Sequence, residues 1–581
     1  MRENSMANDR SGTGFKRGLT HYGDMGFASF LRRSFAKSMG YTEKDLDRPV
    51  IGIANTASGY NNCHRSVPDL VEAVKRGVMY CGGLPIEFPT ISLGEPYLNP
   101  TSMMFRNLMA MDTEEMIRAQ PMDAVVLIGG CDKTLPAQLM AAASINLPAI
   151  SLVVGPMMTG SWRGERLGAC TDCRRQWGRY RAGEIDDEQI MEAGSELSTT
   201  AGTCMVMGTA STMALMTEAL GMMLPGGAAI PAVHAERLRI AERTGQRAVE
   251  MIDERLIPEE IMTPKAFSNA FRVLLAVGGS TNALIHMTAI AGRRGIKVDL
   301  EAFDRMGRET PVLVDLKPSG SNYMEDLYKA GGLGPILREL QPLLHLDCKT
   351  VTGRTLGEEV EQAPVWEQDI VKSIRAPLKS EGGIAVLTGN LAPETAIIKQ
   401  SAATPELLVH EGRAVVFESL EDLADRIDHP DLEVEKDDIL ILRNAGPRGG
   451  PGMPESGYIP IPKKLAARGV KDMVRMSDAR MSGTAFGTIV LHICPEAAVG
   501  GTLSLVQNGD RIRLDVPGRR LDLLVDSRLL AARRSKWKPP TLPAGSERGY
   551  LRLHLDHVEQ AHQGCDFDVL KPSFSGVTTP D

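Results

Sequence analysis

Two patterns of hydrophobic residues divide the chain. In the first part, short apolar runs of strand length alternate with segments in which apolar residues recur at helical spacing. These patterns predict strands at 49–56, 86–92, 123–128 and 149–154, and helices at 67–79, 101–119 and 137–145. Farther along, region 186–295 is mostly helical in pattern. Strands that alternate with helices indicate a parallel sheet covered by helices on both faces.

The pattern changes near residue 380. Beyond it, short apolar runs are separated by glycine-rich turns. The candidate strands are 382–393, 413–417, 438–442, 502–505, 510–516 and 520–525. This pattern is typical of a β-rich domain, which we predict to be barrel-like. We therefore predict an α/β protein in three segments: a tail with a first helix near 27–38 (1–45), a parallel-sheet α/β domain (46–380) and a β-rich C-terminal domain (381–581).

The composition argues against several classes of function. The 581 residues include 65 Lys and Arg against 73 Asp and Glu, a net charge of −8 without a basic cluster, which disfavours binding to nucleic acid or to a membrane surface. No apolar run is long enough to span a bilayer, and residues 1–10 are polar, as in a loose tail without a secretory signal. Nine widely spaced cysteines predict a reducing compartment, and we expect the cytoplasm.

Candidate chemistry begins at the turn 129–136, between the predicted strand 123–128 and the next helix. Its glycines permit a tight turn and the close approach of a ligand. The thiol of Cys131, the carboxylate of Asp132 and the amine of Lys133 follow one another. A thiolate prefers iron–sulfur clusters or zinc, and a carboxylate prefers magnesium or manganese, so the turn predicts a site for two different metals. The alternative is a buried structural cysteine followed by a surface Asp–Lys pair.

Three further residues support the metal-site interpretation. Cys63 and Glu95 each lie just after a predicted strand, and the carboxyl ends of parallel strands meet at one edge of a sheet. Cys204 follows Gly202 and Thr203, which we expect to open a helix whose dipole would favour a thiolate. Cys204 is therefore a candidate third thiol ligand. Its alternative role is that of an apolar structural residue.

Other cysteines and one glycine turn have less specific patterns. Cys170 and Cys173 form the only Cys-x2-Cys pair, and a zinc ribbon needs two such pairs, so we interpret them as structural residues in the loop 162–181. The turn 278–282 could hold a substrate oxyanion, or Ser280 or Thr281 could cap the following helix. The remaining cysteines are interpreted as packing residues: Cys81, Cys348, Cys494 and Cys565.

Two segments of the C-terminal region carry candidate catalytic groups. A rigid Gly/Pro-rich loop, 446–455, ends in the carboxylate of Glu455. The polar segment 476–484 contains Ser482 between an arginine and a glycine. A serine beside glycine is most often a turn residue, so the pattern alone does not assign it a catalytic role.

Taken together, nine ordered blocks resemble the dihydroxy-acid and sugar-acid dehydratase family across about 45–570. The blocks are 61–64, 129–133, 203–204, 278–282, 324–327, 389–393, 449–455, 477–483 and 564–568. The resemblance implies an N-terminal α/β domain and a C-terminal β-barrel-like domain with the site between them. It also implies an oligomer, and we expect a homodimer or homotetramer.

The resemblance further implies the roles of the candidate residues. Cys63, Cys131 and Cys204 would hold an iron–sulfur cluster, usually [2Fe–2S] in the sugar-acid branch; Glu95, Asp132, Lys133 and Glu455 would surround Mg²⁺, with Lys133 carbamylated; and Ser482 would be the base. The implied reaction is dehydration of a 2,3-dihydroxy acid to a 2-keto-3-deoxy acid.

Two segments, 131–137 and 444–455, resemble the sugar-acid branch, which predicts a sugar-acid substrate such as L-arabinonate, D-xylonate or D-gluconate. Two alternatives remain open. One is the dihydroxyacid dehydratase of branched-chain amino acid biosynthesis. The other, from a different class, is a non-catalytic iron–sulfur sensor, in which the carboxylates and Ser482 would have no use.

Overall fold

The architecture was analysed in a computed structural model, which describes residues 12–19, 22–573, 576 and 578–579. The predicted tail 1–10 lies outside the described residues. The strands are β1 (Val50–Asn55), β2 (Leu84–Pro89), β3 (Ala124–Gly129), β4 (Ala149–Val153), β5 (Gly160–Trp162), β6 (Glu165–Leu167), β7 (Ala385–Leu387), β8 (Thr395–Ile398), β9 (Val409–Phe417), β10 (Ile439–Leu442), β11 (Arg475–Ser477), β12 (Ile489–Cys494), β13 (Arg511–Asp515) and β14 (Arg520–Leu523).

Helices are concentrated before residue 365. They are α1 (Met25–Ser38), α2 (Val67–Tyr80), α3 (Arg106–Ala119), α4 (Thr134–Ser144), α5 (Thr171–Arg181), α6 (Asp187–Ser195), α7 (Thr209–Ala219), α8 (Ala235–Glu254), α9 (Pro258–Ile261), α10 (Pro264–Ala276), α11 (Thr281–Arg293), α12 (Leu300–Glu309), α13 (Met324–Lys329), α14 (Leu333–Leu340), α15 (Leu356–Gln362), α16 (Leu420–Arg426), α17 (Lys463–Ala466), α18 (Ser527–Arg534) and α19 (Gly549–His557).

The N-terminal sheet is fully parallel, as predicted. Its strand order is β2-β1-β3-β4, with Ile51 of β1 opposite Ala124 of β3. All of β3 and nearly all of β1 is buried, which explains why both strands are continuous apolar runs rather than alternating ones. Helices α2 and α8 pack together beside this sheet. The carboxyl ends of β1, β2 and β3 therefore open at one edge.

Along the chain, the segment between the two sheets contains buried helices. Every residue of α7 and of α11 is buried, and the two helices contact each other. A helix without an exposed face must be enclosed by protein on all sides. These two helices are therefore enclosed by protein, and their amino ends lie beside a loop of the C-terminal region, because Gly208 is close to Thr484 and Ser280 is close to Gly483.

The C-terminal sheet has eight strands in the order β14-β13-β9-β10-β11-β12-β8-β7. Its centre, from β9 to β12, is parallel, and the flanking pairs are antiparallel. Thr388, just after β7, bridges Arg520 of β14, and the amide of Leu521 donates to the carbonyl oxygen of Thr388 at 3.0 Å. The two edges thus meet, and the prediction of a barrel-like C-terminal sheet is confirmed.

The local predictions at 502–505 and 162–181 are wrong. The run Thr502–Leu505 is a 3-10 helix rather than a strand, because its carbonyls are satisfied locally and by Arg443, which donates to the oxygen of Ser504 at 2.8 Å. The segment 162–181 is not a loop, since it contains the hairpin partner β6 and the helix α5. Trp162 and Leu167 bury against residues of the α6 region, which gives this segment a small core of its own.

Among the described residues, no helix combines the length with the apolar character that crossing a bilayer requires.

Glycines allow the close contact between α2 and α8, which gives a prediction for stability. A Cβ on Gly77 would lie 1.9 Å from the carbonyl oxygen of Glu242. Gly77→Ala should therefore force the helices apart and lower the free energy of unfolding by about 1–3 kcal/mol. Thermal unfolding followed by circular dichroism measures this as a lower Tm.

The matched control is Gly194→Ala in α6, where a Cβ meets no atom within 4 Å. Alanine has the higher helix propensity, so this variant should keep or raise the Tm. Equal Tm values for Gly77→Ala and the unmodified protein would contradict the account of this helix contact.

Candidate active site

The turns that follow the first three strands carry the candidate ligands. Cys63 lies in a 3-10 turn after β1, Glu95 begins another after β2, and the sequence Cys131-Asp132-Lys133 joins β3 to α4. Interaction with the thiol of Cys63, ahead of burial, raises the pKa of Cys131, and Lys133 Nζ lies 3.4 Å from Glu95 Oε2. The structure thus brings together residues that are up to 70 positions apart in the chain, counted from Cys63 to Lys133.

Three carboxylates form a compact group. One oxygen atom from each of Glu95, Asp132 and Glu455 lies within 4.8 Å of the other two. The ammonium of Lys133 lies among them: it contacts Asp132 and is 3.8 Å from Glu455 Oε1, while its own side chain is completely buried. Carboxylate oxygens at this spacing are a suitable donor set for a hard divalent cation.

Arg480 is a further member of this group, to which the sequence analysis assigned no role. Its guanidinium is fully buried, donates to Thr101 Oγ1 at 2.7 Å, and is hydrogen-bonded to Glu455. The nitrogen that donates to Thr101 is also 3.5 Å from Glu95 Oε1. Arg480 therefore links the loop of the C-terminal sheet to the N-terminal turn. The resembling block 477–483 contains it, and that block was the only sequence signal available.

The charges of the group shift the carboxyl pKa values in opposite directions. Burial opposes ionisation of Glu95, but the positive charges of Lys133 and Arg480 outweigh it and lower the pKa to about 2. For Glu455, burial dominates and raises the pKa even though Arg480 stabilises the carboxylate. Buried carboxylates and buried cations compensate each other here, since none of them could be charged in isolation.

The thiol loops are connected by His64. Its Nε2 accepts hydrogen bonds from the amides of Gly130 and Cys131, each at 3.1 Å, and its Nδ1 lies 2.9 Å from the carbonyl oxygen of Thr56, to which it donates. Burial lowers the pKa of His64 to about 4, so the imidazole is neutral and can accept these bonds. His64 therefore fixes the Cys63 turn against the Cys131 turn. The sequence block 61–64 contained this residue, but only Cys63 was singled out.

Cys204 joins the other thiols, although the predicted helix there is wrong. Thr203 forms a bridge with Pro156, and the helix α7 begins only at Thr209. Gly202 has a φ of +128°, which keeps the chain extended beside the end of β4 instead of starting a helix. The contact with Cys170 and burial raise the pKa of the Cys204 thiol most. The charges of Cys63 and Cys131 raise this pKa further, so Cys204 lies near both of these thiols.

Cys170 also reaches this cluster. Its Sγ lies 3.5 Å from Cys204 Sγ, and interaction first with Cys173 and then with Cys204 lowers its pKa. Cys170 is the residue that precedes α5, not part of a loop without structure. The sequence analysis recognised the pair, but its contact with Cys204 depends on tertiary packing. Five of the nine cysteines thus lie in one region of the molecule.

Ser482 lies on the loop after β11, two residues beyond Arg480. Its hydroxyl is 2.8 Å from Thr484 Oγ1. The buried ammonium of Lys399 donates to the carbonyl oxygen of Gly483 at 3.2 Å, and the Asn282 amide donates to the carbonyl oxygen of Met481 at 2.9 Å. Burial lowers the pKa of Lys399 to about 7. The peptide groups on both sides of Ser482 are therefore held in place.

The turn 278–282 caps a helix, as one of the two sequence interpretations predicted, and it also contacts the Ser482 loop. Ser280 caps α11, since its Oγ accepts from the amide of Asn282 at 3.2 Å, which agrees with the capping interpretation. The same turn packs directly against the Ser482 loop, because a Cβ on Gly483 would lie 2.5 Å from Ser280 Oγ. The amino end of α11 thus supports the loop that carries Ser482.

Comparison with known proteins adds an independent result. Residues 48–359 match the family described as dihydroxy-acid/6-phosphogluconate dehydratase N-terminal, and residues 369–565 match the corresponding C-terminal family. The chain is 49% identical to an L-arabinonate dehydratase of Rhizobium leguminosarum bv. trifolii, over 95% of each chain. It is 44% identical to a 6-deoxy-6-sulfo-D-gluconate dehydratase of Pseudomonas putida, also over 95% of each.

A more distant relative belongs to the other branch. The chain is 38% identical to a dihydroxy-acid dehydratase of Acetivibrio thermocellus, over 92% of this chain and 96% of the relative. Since the matched regions extend through both sheets and include every residue of the site described above, the chain belongs to the dihydroxy-acid/6-phosphogluconate dehydratase family.

Proposed function

We propose that this protein is a hydro-lyase that dehydrates an unphosphorylated sugar acid to the 2-keto-3-deoxy acid, with an aldonate such as L-arabinonate, D-xylonate or D-gluconate as substrate. One observation carries the proposal: a soft thiol and a hard carboxylate are adjacent, with Cys131 Sγ 3.6 Å from Asp132 Oδ1. This adjacency supports two metal sites of different chemistry, because a thiolate and a carboxylate prefer different metals. A non-catalytic iron–sulfur sensor would not need the second.

The carboxylate group fits Mg²⁺. Glu95, Asp132 and Glu455 supply hard oxygen donors within 4.8 Å of one another, and Mg²⁺ prefers such ligands. We propose that the neutral amine of Lys133 adds to dissolved CO₂ and releases a proton, so that the carbamate becomes a fourth oxygen ligand. Carbamylation requires a neutral amine, and a cation beside the buried Nζ would disfavour the ammonium form. When bound, Mg²⁺ supplies charge stabilisation for a developing enediolate.

The thiol group fits an iron–sulfur cluster. Cys63, Cys131 and Cys204 are soft donors that converge from three segments, and we propose that they hold a [2Fe–2S] cluster. When bound, a cluster with an incompletely ligated iron supplies Lewis acidity toward a leaving hydroxyl group. His64 contributes by keeping two of the thiol turns in register.

The remaining chemistry belongs to the side chains of the protein. Dehydration removes a weakly acidic proton from C2 and a hydroxyl group from C3 of the substrate. We propose that Ser482 Oγ accepts the C2 proton. A serine is a useful base only if nearby positive charge lowers the pKa of its hydroxyl. The contacts of Lys399 and Asn282 hold the Ser482 loop in place, and the buried Arg480 lies two residues away on the same loop.

The substrate class is supported by the relatives. The L-arabinonate dehydratase is 49% identical to this chain, whereas the dihydroxy-acid dehydratase is 38% identical. A cytoplasmic location and a homodimer or homotetramer remain proposals; the first is supported by all nine cysteines being free of disulfides.

The substrate class can be tested with a panel of acids. Anaerobically purified protein with Mg²⁺ should form keto acid faster from L-arabinonate, D-xylonate or D-gluconate than from 2,3-dihydroxyisovalerate or 6-phosphogluconate. Keto-acid formation is measured with a carbonyl reagent. A preference for 2,3-dihydroxyisovalerate would instead assign the protein to branched-chain amino acid biosynthesis, and no turnover with a full cluster would favour the sensor.

The role of Ser482 can be tested by Ser482→Ala. Loss of a positioned base should lower kcat by roughly 10²–10⁴-fold, while iron, sulfide and visible absorbance stay at the level of the unmodified protein. The control is Ser195→Ala, an exposed serine at the end of α6, which should retain full activity. If Ser482→Ala turns over normally, another group must be the base.

The role of the carboxylates can be tested by Glu455→Gln. Removal of one of three anionic ligands should raise the Mg²⁺ concentration for half-maximal activity by roughly tenfold or more, without loss of iron or sulfide. Activity is measured while Mg²⁺ is added back to protein treated with EDTA. Glu394→Gln, at an exposed position, is the matched control. An unchanged Mg²⁺ requirement in Glu455→Gln would remove this residue from the proposed ligand set.

A further inference from the structure

Helix α5 lies against two segments of the proposed active site at its amino end. The thiol of Cys170, the residue before the helix, is 3.5 Å from Cys204 Sγ. The hydroxyl of Thr171 donates to the carbonyl oxygen of Thr484 at 2.8 Å, and Thr484 Oγ1 is 2.8 Å from Ser482 Oγ. The first turn of α5 therefore contacts both a candidate thiol ligand and the loop of the proposed base.

Arg174 lies one turn farther along the same face of α5. Its amide donates to the carbonyl oxygen of Cys170 at 3.3 Å, and residues three or four positions apart lie on one side of a helix. Its guanidinium carbon is 4.6 Å from the centre of the Tyr458 ring. Tyr458 ends a 3-10 turn that begins with Glu455, one of the carboxylates proposed to bind Mg²⁺. Arg174 is therefore placed between the start of α5 and the turn that carries Glu455.

The charge of Arg174 is not compensated by a carboxylate, unlike that of the other arginines of α5. The three ion pairs of this helix are Arg175 with Glu165, Arg179 with Glu184 and Arg181 with Asp428. Among the described residues, the side chain of Arg174 forms no ion pair and no hydrogen bond, and its Nε is buried. Its contact with the Tyr458 ring is a cation–π contact, which uses the positive charge but no N–H donor. The donors of this partly buried guanidinium are therefore available to a ligand.

The chemistry of the proposed function indicates which part of a substrate reaches Arg174. C1 and C2 of the sugar acid lie at the carboxylate group and Ser482, and the C3 hydroxyl lies at the thiol group. Cys170 contacts the thiol group through Cys204, and Arg174 is about 6 Å farther along α5 at a rise of about 1.5 Å per residue. A pentonate has two further carbons beyond C3, which together with a hydrogen bond of about 2.8 Å span a comparable distance.

We propose that Arg174 holds the end of the sugar acid remote from the carboxylate, where its guanidinium donates hydrogen bonds to the hydroxyl oxygens on C4 and C5. This inference rests on the proposed function and deepens it, because it assigns a residue to the recognition of the polyhydroxylated chain. A 2,3-dihydroxy acid without oxygen atoms beyond C3 would leave these donors unpaired, which costs affinity. Arg174 is thus a specificity-determining residue and takes no part in proton transfer.

The role of Arg174 can be tested by Arg174→Met in the full-length protein, purified anaerobically with its cluster and Mg²⁺. Methionine keeps an unbranched stem but has no N–H donor. The KM for the preferred sugar acid of the panel should rise roughly 10–100-fold, the effect of losing hydrogen bonds from a charged group, and kcat should change less. Glycerate, which ends at C3, is measured as a competitive inhibitor, and its KI should stay unchanged. Arg179→Met, which removes an arginine paired with Glu184, is the matched control and should change neither constant.

The outcomes separate the role of Arg174 from the function on which it rests. An unchanged KM in Arg174→Met would overturn the role, and so would an equal rise in the KM and in the KI of glycerate, because a structural role or a contact with C1–C3 affects both ligands alike. If the unmodified protein, with a full cluster and Mg²⁺, dehydrates no sugar acid, the proposed function itself fails. If Arg174→Met does not fold by circular dichroism, Arg174→Lys decides, since it keeps the charge but loses the planar set of donors. A rise in its KM without a rise in the KI supports the role of Arg174, and the absence of that rise overturns it.

Discussion

The burial of Lys133 is the constraint on which the site depends. An ammonium without exposure to solvent is costly unless anionic groups compensate it, and here Asp132, Glu95 and Glu455 do so. Two of these carboxylates come from turns of the N-terminal sheet, and the third comes from a loop of the C-terminal region. Charge compensation therefore requires the two parts of the chain to meet at this place.

Arg480 extends the same principle. Its guanidinium forms a second buried cation between Glu95 and Glu455, so the group contains three anions and two cations. Because Arg480 is only two residues from Ser482, the ion pairs that balance the charges also position the loop of the proposed base. Lys399 and Asn282 support this loop through its peptide groups rather than through the serine hydroxyl. Electrostatics and backbone hydrogen bonds thus act on one short segment.

The thiol region follows a different principle, because neutral contacts organise it. His64 is kept uncharged by burial, and in that state it accepts two amide hydrogen bonds that connect the turns of Cys63 and Cys131. Asp172 and Thr171 hold the opposite wall, next to Cys170. Soft thiols and hard carboxylates meet at a single peptide, between Cys131 and Asp132. A change in this turn would therefore disturb both proposed metal sites.

The sequence alone determined the parallel N-terminal sheet. Its continuous apolar runs indicate buried strands, and the segments of helical periodicity between them indicate the helices that cover the sheet. It also indicated the barrel-like C-terminal sheet and the turns that carry Cys63, Glu95 and Lys133, because local hydrophobic patterns specify local elements. Tertiary structure decided the rest. The contact of Cys170 with Cys204, the bridging by Arg480 and the capping turn beside Ser482 join segments 34 to 385 positions apart, and no local pattern encodes such distances. The segments at Cys204 and 502–505 departed from prediction for the same reason: long-range hydrogen bonds, of Thr203 with Gly155 and Met157 and from Arg443, outweighed local propensity.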